Sequence, residues 1–379
     1  MRIGRSLHWL AILGVLALTG CTTPGFPTIV SINVPGTVVS NTTVTVSATV
    51  SYGGGGPLVY EWSATCGGTF SPNNSPAAQT SSWTVPSVLT TTPCTVTVRV
   101  TTRAGRSTTG SATTTVLPLP APSLPACSMP RLSGQSVPSG SVNNHSITGA
   151  VGDRASIYVE TTGDSTLHLR PTPLTSPLSC PDGPPPAGDD ECDDDDGPSL
   201  SSVIGLHPLS ASSSYAAVHG YGGGALASYN LYRHVVPAAS LVDMEAAGDV
   251  PGPTTGVDIP TTASWIIGAE ILPAGDQDWY RFFANAGDIV WAVLDGTPLT
   301  RTGSHNDDGR ANDLRGILEL FTDTGALLVT ANSNNTAYSG SALAETFVFT
   351  ISVTGNYFVG VRGEGTETHA YHLVICRAN

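Results

Sequence analysis

The chain has 379 residues, enough for two or three domains. It carries 15 basic residues, all of them arginine, against 29 acidic residues, for a net charge of −14. That balance argues against nucleic acid as a partner and against electrostatic binding of the whole chain to anionic lipid. Charged residues make up only 12% of the chain, and glycine and proline are abundant, which favours short strands and turns over a helix-rich enzyme.

Residues 1–20 have the layout of a secretory signal. Arg2 and Arg5 are followed by an apolar run from Leu10 to Leu18 and then by small residues. The apolar run is shorter than the roughly 20 residues that span a bilayer. Removal of this signal leaves 13 basic against 29 acidic residues, a net charge of −16.

The signal ends in Leu18-Thr19-Gly20-Cys21, which resembles the lipobox of bacterial lipoproteins. The resemblance implies that the Cys21 thiol is lipidated and becomes the first residue of the mature chain. It implies the outer membrane as the location, because Thr22 is not the aspartate that acts as a retention signal. The alternative is an ordinary secretory signal that contains a cysteine by chance.

Six further cysteines, an even number in an exported chain, predict three disulfides. We favour Cys66–Cys94 and Cys180–Cys192, which are local pairs, and Cys127–Cys376, which follows mostly by elimination. Six cysteines permit 15 pairings, so the sequence leaves the connectivity open. None of these cysteines has the C-x-x-C spacing of a zinc or redox site.

Residues 21–28 are predicted to be a short tether, and residues 29–117 alternate apolar and hydroxyl side chains. This pattern predicts several half-buried strands and a two-sheet sandwich. Leu58–Phe70, with Trp83 and Cys94 after it, resembles the Ig-like or PKD-like modules of bacterial cell-surface proteins. The resemblance implies that Trp62 packs in the core of this sandwich.

Residues 118–126 are rich in proline and predict a semi-rigid linker. Beyond the linker, a weak internal duplication predicts two sandwiches, over residues 127–238 and 239–379. Asp276–Phe282 and Gly355–Val361 of the second copy resemble the pre-peptidase C-terminal (PPC) domain, a jelly-roll-like sandwich often appended to secreted proteases.

The first copy lacks the Asp-x-Asp-Trp start of that domain, and an acidic insertion at residues 181–197 interrupts it. The predicted fold is therefore all-β: an Ig-like β-sandwich followed by two jelly-roll-like β-sandwiches.

Acidic stretches supply candidate metal sites, because calcium prefers clustered carboxylate oxygens. In the insertion, a solvated loop is favoured over a calcium site, because the adjacent aspartates Asp193 to Asp196 point in different directions on an extended chain. Two other groups of acids are candidates. One loosely matches the calcium-binding acids of some PPC-containing proteins, and the other forms an oxygen-rich loop. The candidate calcium ligands are Asp243, Glu245, Asp249, Asp307, Asp308 and Asp313. No other cofactor is expected.

No catalytic motif stands out: the sequence has neither a Gly-x-Ser-x-Gly elbow nor a His-Glu-x-x-His pair. Asp276 and Asp278 are interpreted as structural, with Trp279 or Phe282 filling the core. The leading hypothesis is a non-catalytic, lipid-anchored envelope protein whose sandwiches act as spacers and bind protein or polysaccharide. The alternatives are an accessory component of a secreted hydrolase and a calcium-dependent adhesin.

Overall fold

The computed structural model describes residues 25–180, 185–194, 201–245, 256–296, 298, 314–332, 344–365 and 368–379. The described residues divide into two compact units. One runs to Pro86 and includes Thr92–Val116, and the other comprises Ser87–Thr91 and Leu117–Asn379. Within the described ranges, no helix has the length and apolar character needed to cross a membrane.

The first unit is a sandwich of two four-stranded sheets. Its strands are β1 Thr28–Asn33, β2 Thr37–Val39, β3 Thr43–Ser51, β4 Leu58–Ala64, β5 Thr69–Ser71, β6 Thr80–Thr84, β7 Thr92–Thr102 and β8 Ser107–Leu117, with a short 3-10 helix at Pro76–Gln79. The sheet orders are β1-β3-β6-β5 and β2-β8-β7-β4. This arrangement matches the constant-type immunoglobulin sandwich and confirms the Ig-like prediction.

Trp62 on β4 lies in the core of this sandwich, as predicted, with 2% of its surface exposed. Its indole N–H donates to the carbonyl of Ala78 at 2.7 Å. The alternation of valines and hydroxyl residues along β7 explains why one face of that strand is buried and the other solvated.

The second unit contains two sandwiches. The strands of the middle sandwich are β9 Leu132–Val137, β10 Asn143–Thr148, β11 Arg154–Thr161, β12 Ser165–Arg170, β13 Glu191–Asp193, β14 Ser202–Pro208, β15 Ser213–Gly220 and β16 Leu226–Val236. Short 3-10 helices lie at Tyr221–Gly223 and Ala238–Ser240.

The C-terminal sandwich has ten described strands. They are β17 Leu241–Asp243, β18 Val257–Asp258, β19 Ile266–Glu270, β20 Gln277–Ala284, β21 Ile289–Asp295, β22 Gly316–Thr322, β23 Leu327–Ala331, β24 Ala344–Thr350, β25 Gly355–Gly363 and β26 Ala370–Arg377.

These two sandwiches share one topology. The middle sheets are ordered β9-β16-β11-β14 and β10-β15-β12-β13. The C-terminal sheets repeat that order as β19-β26-β21-β24 and β20-β25-β22-β23, with β17 and β18 added as one further edge strand each. Eight strands in two four-stranded sheets with this connectivity form a jelly roll. The structure therefore confirms two jelly-roll-like sandwiches after the Ig-like one.

Equivalent sheets of the two jelly rolls pack against each other. Successive residues on a strand point to opposite faces, so Ile157 and Val159 fill the middle core while Tyr158 faces the neighbouring sandwich. The ring of Tyr232 lies between Tyr158 and Trp291, at 5.8 and 5.7 Å between centroids. The contact also buries Arg154 from the middle sandwich against His372 from the C-terminal one, at 2.8 Å.

Residues 118–126, predicted to be a linker, lie along the C-terminal sandwich and form a docked segment that we call the strap. Ala121 N–H donates to the side chain of Asn356 at 2.8 Å, and Phe283 N–H donates to Pro122 at 2.8 Å. Leu124 enters the hydrophobic core of that sandwich. Prolines lack an N–H and suit an edge segment, so the same composition serves a docked strap as well as a spacer.

Three disulfides are present, and they join the pairs favoured from the sequence. Cys66–Cys94 lies in the first unit, Cys180–Cys192 in the middle sandwich, and Cys127–Cys376 ties the end of the strap to the last strand. Their Cα–Cα distances of 5.4, 5.7 and 5.0 Å are ordinary for disulfides.

Gly360 on β25 has no room for a side chain, because an added Cβ would lie 2.4 Å from the indole ring of Trp279. We expect Gly360→Ala to lower the free energy of unfolding of the C-terminal sandwich by about 1–3 kcal/mol, the usual cost of overpacking. Urea denaturation measures this difference. Gly355→Ala on the same strand is the matched control, since nothing lies within 4 Å of its added Cβ. Equal stability of the two variants would contradict the packing described.

His234 on β16 should make stability pH-dependent. Its Nδ1 accepts the N–H of Ser128 at 2.9 Å, and burial lowers the pKa of His234 to about 4. The unfolded chain takes up this proton near pH 6.5, so stability is complete above that pH and falls as pH drops from about 6.5 towards 4. His234→Asn, which keeps an acceptor, should reduce the slope in urea titrations at pH 7 and pH 5. An unchanged slope would show that His234 is not responsible.

Candidate functional site

The outer face of sheet β10-β15-β12-β13 carries the candidate site. On β12, Leu167 and Leu169 point into the core, which leaves His168 on the opposite face. On β15, Val218 points inward and His219 outward for the same reason. The two imidazoles stack at 5.2 Å between centroids and are both almost fully buried.

Hydrogen bonds fix the orientation of both rings. His219 Nδ1 donates to the carbonyl of Gly220 at 2.9 Å, and its Nε2 accepts the N–H of Leu178 at 3.3 Å. His168 Nδ1 donates to the Asp189 carboxylate at 2.6 Å. Its Nε2 lies 3.0 Å from the carbonyl oxygen of Leu178 and 3.2 Å from His219 Nε2. Burial is the main reason that the pKa of His219 is lowered.

Asp189, Glu191 and Asp193, which lie in the described part of the insertion, are structural rather than solvated, and this corrects the sequence-based interpretation. Asp189 lies buried beside His168, and Arg170 approaches its other carboxylate oxygen at 3.3 Å. Glu191 on β13 is fully buried and lies 3.4 Å from His207. Asp193 accepts the N–H of Val203 at 2.5 Å. Each of these three carboxylates accepts a hydrogen bond, which for Glu191 comes from the N–H of Cys192 at 2.8 Å, so mutual repulsion does not drive the described part of this segment into solvent.

No metal centre emerges among the described ranges, where no group of three or more His, Cys, Asp or Glu side chains could hold an ion. Asp243 Oδ1 accepts the N–H of Glu245 at 3.3 Å, and Glu245 Oε2 accepts the N–H of Glu270 at 2.6 Å. These two predicted calcium ligands therefore bond to backbone. The other four, Asp249, Asp307, Asp308 and Asp313, lie outside the described residues.

Asp276 and Asp278 have separate structural roles. Asp276 accepts the N–H of Gln277 at 2.8 Å, as a turn cap would. Asp278 is fully buried and accepts the hydroxyl of Tyr371 at 2.5 Å, and Tyr371 in turn contacts Tyr280 at 2.7 Å. Burial is the main reason that the pKa of Tyr371 is well above its usual value.

An open cavity of about 320 Å³ lies beside His219. Its walls combine hydroxyl, imidazole and aromatic groups with glycine backbone. The lining residues are Thr166, Pro177, Leu178, Ser179, His219, Tyr221, Gly222 and Gly223. The lining so described contains neither a carboxylate nor a guanidinium group.

Tyr221 stands out in this lining because 57% of its surface is exposed. It begins a tight turn in which Gly222 and Gly223 have φ of +60° and +79°, a conformation that favours glycine. Tyr221 N–H donates to Asp164 at 3.0 Å, and the Gly223 carbonyl accepts from Gly140 at 2.9 Å. The backbone is therefore held on both sides, and the ring is presented to solvent at the cavity rim.

None of the candidate metal ligands lies among the residues that line this cavity, and neither Tyr221 nor His219 was singled out from the sequence. The available signal is the run Gly220-Tyr221-Gly222-Gly223-Gly224, in which one aromatic residue sits among glycines. Exposure of a ring depends on the folded turn, which the sequence pattern does not reveal.

The arrangement suits binding rather than catalysis. The ring nitrogens of His168 and His219 contact backbone groups, the Asp189 carboxylate or each other, so neither ring presents a general base to the cavity. An exposed ring beside hydroxyl and backbone groups can stack on an apolar face of a ligand and hydrogen-bond to its edges.

Comparisons with known proteins were made for the whole chain. No family model matches it, and no curated protein matches it significantly. Solved structures that are similar include carbohydrate-binding modules of the β-sandwich superfamily. The sequence identity to that structure is 8%, the alignment covers 94% of this chain and 99% of the other, and the TM-score is 0.22.

Two further structures are the mixed-linkage glucan locus protein SGBP-B of Bacteroides ovatus bound to a heptasaccharide and the CBM22 tandem of Xyn10C from Paenibacillus barcinonensis. SGBP-B shows 11% identity, coverage of 92% and 99%, and a TM-score of 0.19. The CBM22 tandem shows 11% identity, coverage of 84% and 93%, and a TM-score of 0.20. Scores this low establish no shared arrangement, so the ligands of those proteins carry no weight for this chain.

Proposed function

We propose that this chain is a non-catalytic, lipid-anchored protein of the bacterial cell envelope whose β-sandwiches serve as spacers and as polysaccharide-binding modules. The single observation that carries the binding role is the exposed Tyr221 ring at the rim of the cavity. Sugar rings present an apolar face and a polar edge, and this site offers a ring together with hydroxyl and backbone partners.

The absence of charged groups from the described lining favours an uncharged polysaccharide. An anionic sugar would call for arginine at the site, and a strongly cationic ligand would call for carboxylates. The Asp189 carboxylate is already bonded to His168 and lies close to Arg170. The lowered pKa of His219 keeps that ring neutral near pH 7.

Anchoring at the outer membrane is part of the proposal and depends on the signal and on Cys21, which lie outside the described residues. The motifs at Asp276–Phe282 and Gly355–Val361 support the proposed kinship of the C-terminal sandwich with the PPC domain, which often accompanies secreted proteases. A role beside a hydrolase would then be one of substrate attachment.

We expect the full mature chain to retard on native gels containing a neutral polysaccharide such as glucan, xylan or mannan, and Tyr221→Ala to weaken that binding about thirtyfold. Truncating an aromatic residue that carries much of the ligand contact costs about 2 kcal/mol. Phe26→Ala is the matched control, because Phe26 is an exposed aromatic residue, 66% accessible, in the other unit. Isothermal titration with the best-binding polysaccharide gives the affinities. Binding that survives Tyr221→Ala unchanged, or no retardation by any neutral polysaccharide, would contradict the proposal.

A further inference from the structure

The first unit carries a charge opposite in sign to the rest of the chain. Residues 25–116 contain three arginines and Glu61 as their only acid, for a net charge of +2. Residues 117–379 contain ten arginines and 28 acidic residues, for a net charge of −18. The net charge of the whole chain is strongly negative, yet the module at the amino-terminal end of the mature chain is basic.

Two arginines and two aromatic residues of this unit lie at one end of the sandwich, with Phe26 and Arg103 exposed and Tyr52 and Arg106 half-buried. Thr28 pairs with Ser51 and Leu58 with Thr102, so the start of β1, the β3–β4 loop and the β7–β8 turn share that end. The groups found there are Phe26, Tyr52, Arg103 and Arg106, which together form what we call the basal patch. The guanidinium of Arg106 lies 5.3 Å from the centre of the Phe26 ring.

The rest of the unit's charge lies away from this patch. Arg99 on β7 pairs with Glu61 on β4 at 3.9 Å, three residues or about 10 Å along the strands from the patch end. The chain leaves the sandwich through Val116, which pairs with Thr92 at the opposite end of β7 and β8. The chain therefore enters at the basal patch and exits roughly 30 Å away, given about 3.3 Å per strand residue.

We propose that the basal patch contacts an anionic lipid surface. This proposal rests on the proposed function, because the lipid anchor is what holds the patch close to the bilayer. Phe26 follows Cys21 by five residues, so an acylated Cys21 holds Phe26 within about 17 Å of the headgroups. An aromatic ring at headgroup level and arginines facing lipid phosphates are the groups that bilayer interfaces select. The acidic unit is repelled by the same surface, so electrostatic contact with the lipid is confined to the first unit.

The test uses the full mature chain with Phe26→Trp, coupled through the Cys21 thiol to a maleimide lipid, since the other six cysteines are in disulfides. Vesicles contain either phosphatidylcholine alone or phosphatidylcholine with phosphatidylglycerol, each with brominated acyl chains as quenchers. The fluorescence of the introduced indole is obtained by subtracting the spectrum of the parent protein from that of the Phe26→Trp variant. We expect this difference fluorescence to be quenched in the vesicles that contain phosphatidylglycerol. Replacing both arginines, Arg103→Gln with Arg106→Gln, should lower the equilibrium constant for contact between the patch and the bilayer about thirtyfold. Each arginine contributes about fivefold.

Arg99→Gln is the matched control and should leave the quenching unchanged, because Arg99 lies away from the patch. Equal quenching in both vesicle types, or quenching that survives loss of both arginines, would overturn the proposal. The chemical coupling makes this result independent of natural acylation. Mass spectrometry of the native amino terminus tests the anchor separately, and an unacylated Cys21 would contradict the proposed function but not a measured patch contact.

Discussion

The contact between equivalent sheets of the two jelly rolls is the constraint on which the second unit depends. Tyr158 and Tyr232 from one sandwich and Trp291 from the other form a line of rings within one buried cluster. At roughly 25 cal/mol per Å² of apolar surface removed from water, such a cluster outweighs any of the surface ion pairs of the chain. Two sandwiches that look separable in sequence are therefore joined by a continuous core.

Local geometry is adapted to this contact. Gly205 on β14 faces Ala344 so closely that an added Cβ would lie 3.0 Å from the Ala344 Cβ. The next residue, Leu206, has a φ of +47° and is fully buried in the shared cluster. A non-glycine residue in this region carries strain of about 1–3 kcal/mol, and such strain persists only where the surrounding packing determines it. The disulfide from Cys127 to Cys376 and the docked strap reinforce the same unit.

Because the sheets β9-β16-β11-β14 and β19-β26-β21-β24 face each other, the other sheet of each jelly roll is directed away from the contact. In the middle sandwich that outer sheet carries the histidine pair and the Tyr221 cavity. At the corresponding strands of the C-terminal sandwich, Glu319 on β22 pairs with Arg362 on β25 at 3.2 Å. The two copies share one topology but differ on this face, which carries a cavity with an uncharged described lining in the middle sandwich and the Glu319–Arg362 pair in the C-terminal one.

The fold class could be predicted from the sequence because period-two alternation and turn residues report directly on strands. The candidate site on the outer face of the middle sandwich could not be predicted from the sequence. It depends on which side chains a turn exposes, as the exposed Tyr221 shows. The buried role of Glu191 was also hidden, because a run of acids looks solvated until each is seen beside its own donor, here the N–H of Cys192. The role of residues 118–126 was hidden for a similar reason, since proline-rich composition fits a free spacer and a docked strap equally well.

Hydrogen–deuterium exchange on the full mature chain at increasing urea concentrations tests the shared core most directly. The amides of β14 in the middle sandwich and β24 in the C-terminal sandwich should lose protection at the same urea concentration, and Gly205→Leu should lower both midpoints together. Loss of protection in one sandwich while the other stays protected would contradict the account of a single joined core.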